Sequence, residues 1–81
     1  MPLNEKKLTD VYLVIADNIR KYRKKNKLTQ KELARRSGYS YAYIRRVEGP
    51  KCVKNFSIQT IYNLSKVLNV DIKELFEEND I

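Results

Sequence analysis

Apolar residues recur along this chain at helical rather than alternating spacing. Val11, Ile15, Ile19 and Tyr22 share one face while Arg20, Lys21, Lys24 and Lys25 fall elsewhere, which predicts a first helix over roughly 10–25 capped by Thr9 or Asp10. Leu13 lies nearly opposite Ile15 and is expected to pack on the preceding arm, residues 1–9, or to meet a partner. Thr29-Gln30-Lys31-Glu32 has the spacing of a capping box, and Leu33 and Ala34 then give the buried stripe of a short second helix. Ala34 lets another helix backbone come close, and Gly38 suits the left-handed residue that ends a helix. Ser40 can cap a third short helix with Ile44 and Val47 inward, ending near Gly49-Pro50, because proline has no N–H to continue it. Ser57 caps a fourth helix whose stripe is Ile58, Ile61, Leu64 and Leu68. Asn69 ends it, and Asp71 opens a fifth helix carrying Ile72, Leu75 and Phe76. No alternating stretch of four or more residues competes as a strand. The expected fold is all-α, with five helices in one domain over 10–81, the fourth and fifth lying within about 57–77.

Composition narrows the function. The 81 residues allow one modest core, and two Gly with two Pro leave little room for long linkers. There is no apolar run of membrane-spanning length and no signal-peptide pattern, and the single Cys fits a reducing compartment, so a cytoplasmic location is expected. With no His, one Cys, and Gly38 and Gly49 as the only glycines, the chain lacks an imidazole triad, a usual zinc set and a phosphate-cradling loop. Neither an enzyme nor a bound cofactor is expected. The net charge of +7 is unevenly spread: residues 1–54 hold 15 Lys/Arg against 5 Asp/Glu, and residues 55–81 hold 2 against 5. A basic body with an acidic end points to a polyanion on one side, and a solubilising surface is the plainer alternative.

Two short capped helices joined by a glycine-containing turn form a helix-turn-helix pattern over 29–48. On a helical wheel of the third helix, Ile44, Val47 and Glu48 lie on one side. Ala42, Arg45 and Arg46 lie on the other, with Tyr41 and Tyr43 at the flanks. Arginine forks match the O6/N7 edge of guanine, and Ala or an aromatic edge can meet the thymine methyl. An ordinary solvated face is the other reading of those residues.

Three runs carry a family resemblance: Ile19-Arg20-x-x-Arg23, Leu28-Thr29-Gln30-x-x-Leu33-Ala34-x-x-Ser37-Gly38 and Ile44-x-x-Val47-Glu48-Gly49. With Ser57-Ile58-x-Thr60-Ile61, Leu64 and Leu68-x-Val70, residues 19–76 resemble the Cro/CI-type, or XRE, helix-turn-helix regulators of bacteria and phages. The resemblance implies a compact five-helix, lambda-repressor-like DNA-binding domain. It assigns Ser40, Tyr41, Ala42 and Arg46 to base edges, to which the wheel adds Arg45. Gln30, at the start of the second helix, matches a phosphate-binding position, and Tyr43 and Lys51 match others. Arg23 and Glu48 match an ion pair tying the first helix to the third. The loop before Ser57 is longer than the common family form and carries Pro50, Lys51, Cys52 and Lys54, so Lys54 joins the phosphate candidates. Tyr41 and Ala42 replace polar residues often found there, so no relative's target sequence transfers.

The expected partner is double-stranded DNA, read by a homodimer on a two-fold symmetric operator. Ile72 and Leu75 read as core, while Phe76 and Ile81 are the expected contacts between subunits. The competing class is an antitoxin that neutralises a toxin partner and binds DNA secondarily. Phage repressor, restriction-modification controller and housekeeping regulator all fit within the regulator class. Cys52 between Lys51 and Lys54 is either incidental or a thiol of lowered pKa that senses redox state.

Overall fold

The computed structural model describes residues 8–49 and 56–78, with side chains from Asp10 onward. Four α-helices follow in order: α1 (Leu8–Lys25), α2 (Gln30–Ser37), α3 (Tyr41–Glu48) and α4 (Ile58–Leu68). The segment read as a fifth helix, Ile72–Phe76, is a 3₁₀ helix of five residues. The expected count of five α-helices is therefore corrected to four plus this element. Its three-residue repeat explains the difference, since Ile72 and Leu75 turn toward the core together at i, i+3 without a full α turn. No strand occurs among the described residues.

Local chemistry accounts for most boundaries. The capping box is complete: Thr29 Oγ1 accepts from the Glu32 N–H at 3.0 Å, and the Thr29 N–H donates to Glu32 Oε1 at 2.8 Å. The Thr29 backbone N–H, and after it the hydroxyl, hold the Glu32 carboxyl below the usual carboxylate range. That contribution to stability is present above the unfolded-state value and is lost as pH falls through the lower folded one. Gly38 closes α2 at φ +84°, with its N–H bonded to the Ala34 carbonyl. Ser40 and Ser57 cap α3 and α4 through their hydroxyls. α1 starts at Leu8, so Thr9 and Asp10 lie inside the helix rather than at its cap.

α1 ends less comfortably. The Leu28 N–H bonds the Arg23 carbonyl and the Lys27 N–H bonds the Lys24 carbonyl, which is a Schellman turn with Lys27 at φ +60°. A side chain there crowds the following carbonyl, and glycine is the residue that avoids it. Lys27→Gly is expected to stabilise the fold by about 0.5–1 kcal/mol after glycine's entropy cost. Thermal unfolding followed by circular dichroism should show Tm rising by a few degrees, and a fall would mean that Lys27 makes compensating contacts.

The core draws on every element: Ile15, Ala16 and Ile19 of α1; Leu28; Leu33 and Ala34 of α2; Ile44 and Val47 of α3; Phe56; Ile61, Leu64 and Leu68 of α4; and Leu75. Leu13 is half-buried. Ile58 departs from its expected place in the inward stripe of α4, being 63% exposed. It is the first residue of that helix, about 120° from Leu64 around the axis, at the edge of the buried arc. No helix among the described residues is long and apolar enough to cross a membrane.

Candidate nucleic-acid interface

α2 and α3 form the helix-turn-helix, and α3 offers one face to solvent. Ser40, Tyr41, Ala42, Arg45 and Arg46 are all exposed, whereas Ile44, Val47 and Glu48 are buried beneath them. Tyr41 lies between two cations, with Lys31 Nζ 5.3 Å and Arg45 Cζ 5.6 Å from its ring centre. Arg46 Cζ lies 5.6 Å from the Tyr43 ring, which in turn stacks at a tilt on Tyr39 with centres 5.1 Å apart. Tyr43 is half-buried, and its hydroxyl is 3.3 Å from Thr60 Oγ1.

That Thr60 hydroxyl is the centre of a small polar cluster. Tyr39 Oη donates to it at 3.4 Å, Ser57 Oγ lies 3.4 Å away, and Asn63 Nδ2 donates to Tyr39 Oη at 2.9 Å. The turn, α3 and the first turns of α4 are thereby tied together. Sequence reading had placed none of Tyr39, Thr60 or Asn63 in the site. Tyr39 lies 21 residues from Thr60 and 24 from Asn63, which leaves no local pattern that joins the turn to α4.

The other end of α3 is clamped at Glu48. Arg23 Nε donates to Glu48 Oε2 at 2.7 Å and Arg23 Nη2 to Oε1 at 3.0 Å, a two-pronged pair whose side chains are 11% and 2% exposed. Arg23 Nη1 reaches the Leu28 carbonyl at 2.9 Å, and Arg20 Nη2 donates to the Glu48 carbonyl at 2.6 Å. The sequence places Arg20 off the apolar stripe and in the first run of the family resemblance without giving it a role; here it caps the last turn of α3, where cations are favoured.

Gln30 joins this clamp, because its Nε2 donates to Glu48 Oε1 at 3.0 Å. Arg23, Thr29, Gln30, Lys31 and Tyr41 line a shallow cleft of about 330 Å³ between the starts of α2 and α3. The positive end of the α2 dipole and the Lys31 ammonium give that cleft a positive character. Arg35 and Arg36 extend the basic surface along α2. Lys51, Cys52, Lys54 and Ile81 lie outside the described residues. Phe76 is 40% exposed, well away in sequence from the α3 face.

Comparison with known proteins agrees with this geometry. The helix-turn-helix family matches residues 19–75. The control protein C.SmaI of Serratia marcescens is 36% identical over 66 residues, covering 82% of this chain and 76% of that protein. An uncharacterized HTH-type transcriptional regulator, y4dJ, of Sinorhizobium fredii is 31% identical over 71 residues, covering 88% and 90% of the two. Among solved structures, the hypothetical transcription factor NHTF from Neisseria superposes with a TM-score of 0.79 at 27% identity, over 90% of this chain and 82% of that one. The exposed arginine face of α3, its buried clamp and these relatives lead to one assignment: the chain belongs to the XRE (Cro/CI-type) family of helix-turn-helix, DNA-binding transcriptional regulators.

Proposed function

We propose that this regulator acts as a homodimer on a two-fold symmetric operator, each subunit laying α3 in one of two successive major grooves. The observation that carries the reading is the separation of two surfaces. The polar face of α3 is exposed on a clamped helix, while Ile58 and Phe76 flank an apolar groove of about 480 Å³ lined also by Val11, Tyr12 and Phe56. In a two-fold pair the same groove and ring meet on both subunits, so one complementary patch serves twice. The helices from Leu8 onward act as one domain, in the cytoplasm, and the arm expected over 1–9 is shortened by the start of α1. Among regulator types, likeness to a protein named as a control protein favours a controller that responds to its own concentration.

Within that reading, Ser40, Tyr41, Ala42, Arg45 and Arg46 meet base edges. Gln30, Tyr43, Lys51 and Lys54 meet phosphates, and Phe76 and Ile81 meet the second subunit. Arg46→Ala should cost about 1–3 kcal/mol on the preferred site and relax discrimination at one base pair. Lys51→Ala should weaken all sequences alike. Competition binding against single-base variants of the operator separates the two, and a uniform loss with Arg46→Ala would remove that residue's reading role.

The decisive experiment is selection of sites from random duplex DNA at fixed moderate salt. A two-fold repeat with half-site centres about 34 Å apart is the expected product. Non-specific, salt-sensitive binding without enrichment would overturn the operator reading and turn attention to a protein partner of the antitoxin kind.

A further inference from the structure

A subunit contact built on Phe76 needs that ring held at a fixed angle to the fold, and the 3₁₀ helix that carries it has only five residues. α1 supplies the hold. Asn18 is fully buried, and its Nδ2 donates to the Leu75 carbonyl at 2.9 Å and to the Glu77 carbonyl at 2.7 Å. Those two carbonyls flank Phe76 in the chain, so one amide fixes the backbone on both sides of the ring. Tyr22 on α1 and Asn26 just past its end continue the row: Tyr22 Oη donates to Glu74 Oε1 at 3.3 Å and Asn26 Nδ2 to the Leu68 carbonyl at 3.0 Å. Of the three, only Asn18 grips main chain beside Phe76.

The amide has one usable orientation. Turned over, Oδ1 would face two carbonyl oxygens, so it points the other way, where it is buried and no described residue donates to it. An unpaired buried oxygen is costly, and an apolar residue would fill the same space without it. What position 18 supplies is two main-chain bonds at one place, next to an exposed aromatic ring.

We infer that Asn18 is a positioning residue for self-association: it aims Phe76 at the partner subunit without touching that subunit. The inference rests on the homodimer reading and deepens it. Asn18 acts through Phe76, so its effect on dimerisation depends on which residue stands at position 76.

The test is a double-mutant cycle on the full chain, read by sedimentation equilibrium, with far-ultraviolet circular dichroism to check the fold. Asn18→Leu keeps the number and branching of side-chain heavy atoms, with somewhat more bulk, and removes the bonds; Asn18→Ser removes them with a smaller side chain. With the fold intact, each is expected to raise the dimer dissociation constant about tenfold in the parent, and less than about twofold in a Phe76→Leu background. A purely structural role would give equal losses in both backgrounds, and that result overturns the inference. So does dimerisation at parental strength, or loss of the fold in both variants, since Asn18 would then hold the fold rather than aim the ring. A parent that sediments as a monomer at every concentration removes the homodimer reading and this inference with it. A dimeric parent with unaffected variants removes only the inference.

Discussion

Glu48→Ala is expected to cost about 3–5 kcal/mol of folding stability, because it leaves the Arg23 guanidinium buried without its counter-charge. Among the described residues Arg23 would retain only the Leu28 carbonyl, and Gln30 would lose the acceptor for its amide. The Arg20 bond would survive, since it goes to the main-chain carbonyl at position 48 rather than to the side chain. For a chain of this size the loss should lower Tm by well over about 10 °C, read by thermal circular dichroism. A Tm within about 2 °C of the parent would show that water reaches the pair and screens it. Replacing both partners, as in Arg23→Met with Glu48→Leu, should recover much of the stability, because desolvating two charges offsets most of what their attraction supplies. Operator discrimination should not recover with it. The two-pronged pair fixes the rotation of α3 about its own axis, and an apolar contact does not.

The second large effect is on DNA affinity. If each dimer neutralises six to ten phosphates, the association constant should fall by about 10³–10⁵ between 50 and 200 mM salt. The sources of that charge are visible beside α3: Lys31, Arg35 and Arg36 on α2, and Arg45 and Arg46 on α3 itself, are all exposed. Condensed cations released from the duplex drive the binding, so added salt opposes it by mass action. Binding isotherms at four or five salt concentrations give the slope directly. A fall of less than about tenfold over the range would mean that few of these cations reach the backbone, and the assignment of Gln30, Tyr43, Lys51 and Lys54 to phosphates would need revision.

Features set by neighbouring residues were legible in the sequence. The capping box at Thr29–Glu32, the serine caps at 40 and 57 and the left-handed Gly38 are each decided within four residues, and the structure has them where the spacing puts them. The wheel of α3 separated the buried face of Ile44, Val47 and Glu48 from the exposed Ala42, Arg45 and Arg46 for the same reason. What was not legible depends on residues far apart. Asn18 stands within the apolar row of α1, yet its partners are main-chain carbonyls 57 and 59 residues away, which no side-chain pattern encodes. Ile58 matched the helical period but sits on the first turn of α4, where the buried arc has not yet closed around it. Thr9 and Asp10 have good capping chemistry, but α1 already runs through them. Gln30 was read for what it offers a phosphate, and its bond to Glu48 comes from the crossing of α2 over α3.

The hydroxyl cluster around Thr60 has a further consequence for how the two halves of an operator are measured. Tyr39 and Tyr43 are bonded to the first turns of α4, the same turns from which Ile58 emerges. The recognition helix and the border of the apolar groove therefore move as one body. One base pair inserted at an operator's centre swings its far half around the duplex axis by about 35°. A flexible connection would absorb that swing; a stiff one leaves the second helix facing sugar instead of groove. If the proposed homodimer forms, the protein would behave as a caliper with its jaws set, and the length of the gap would become as much a part of the address as the bases on either side.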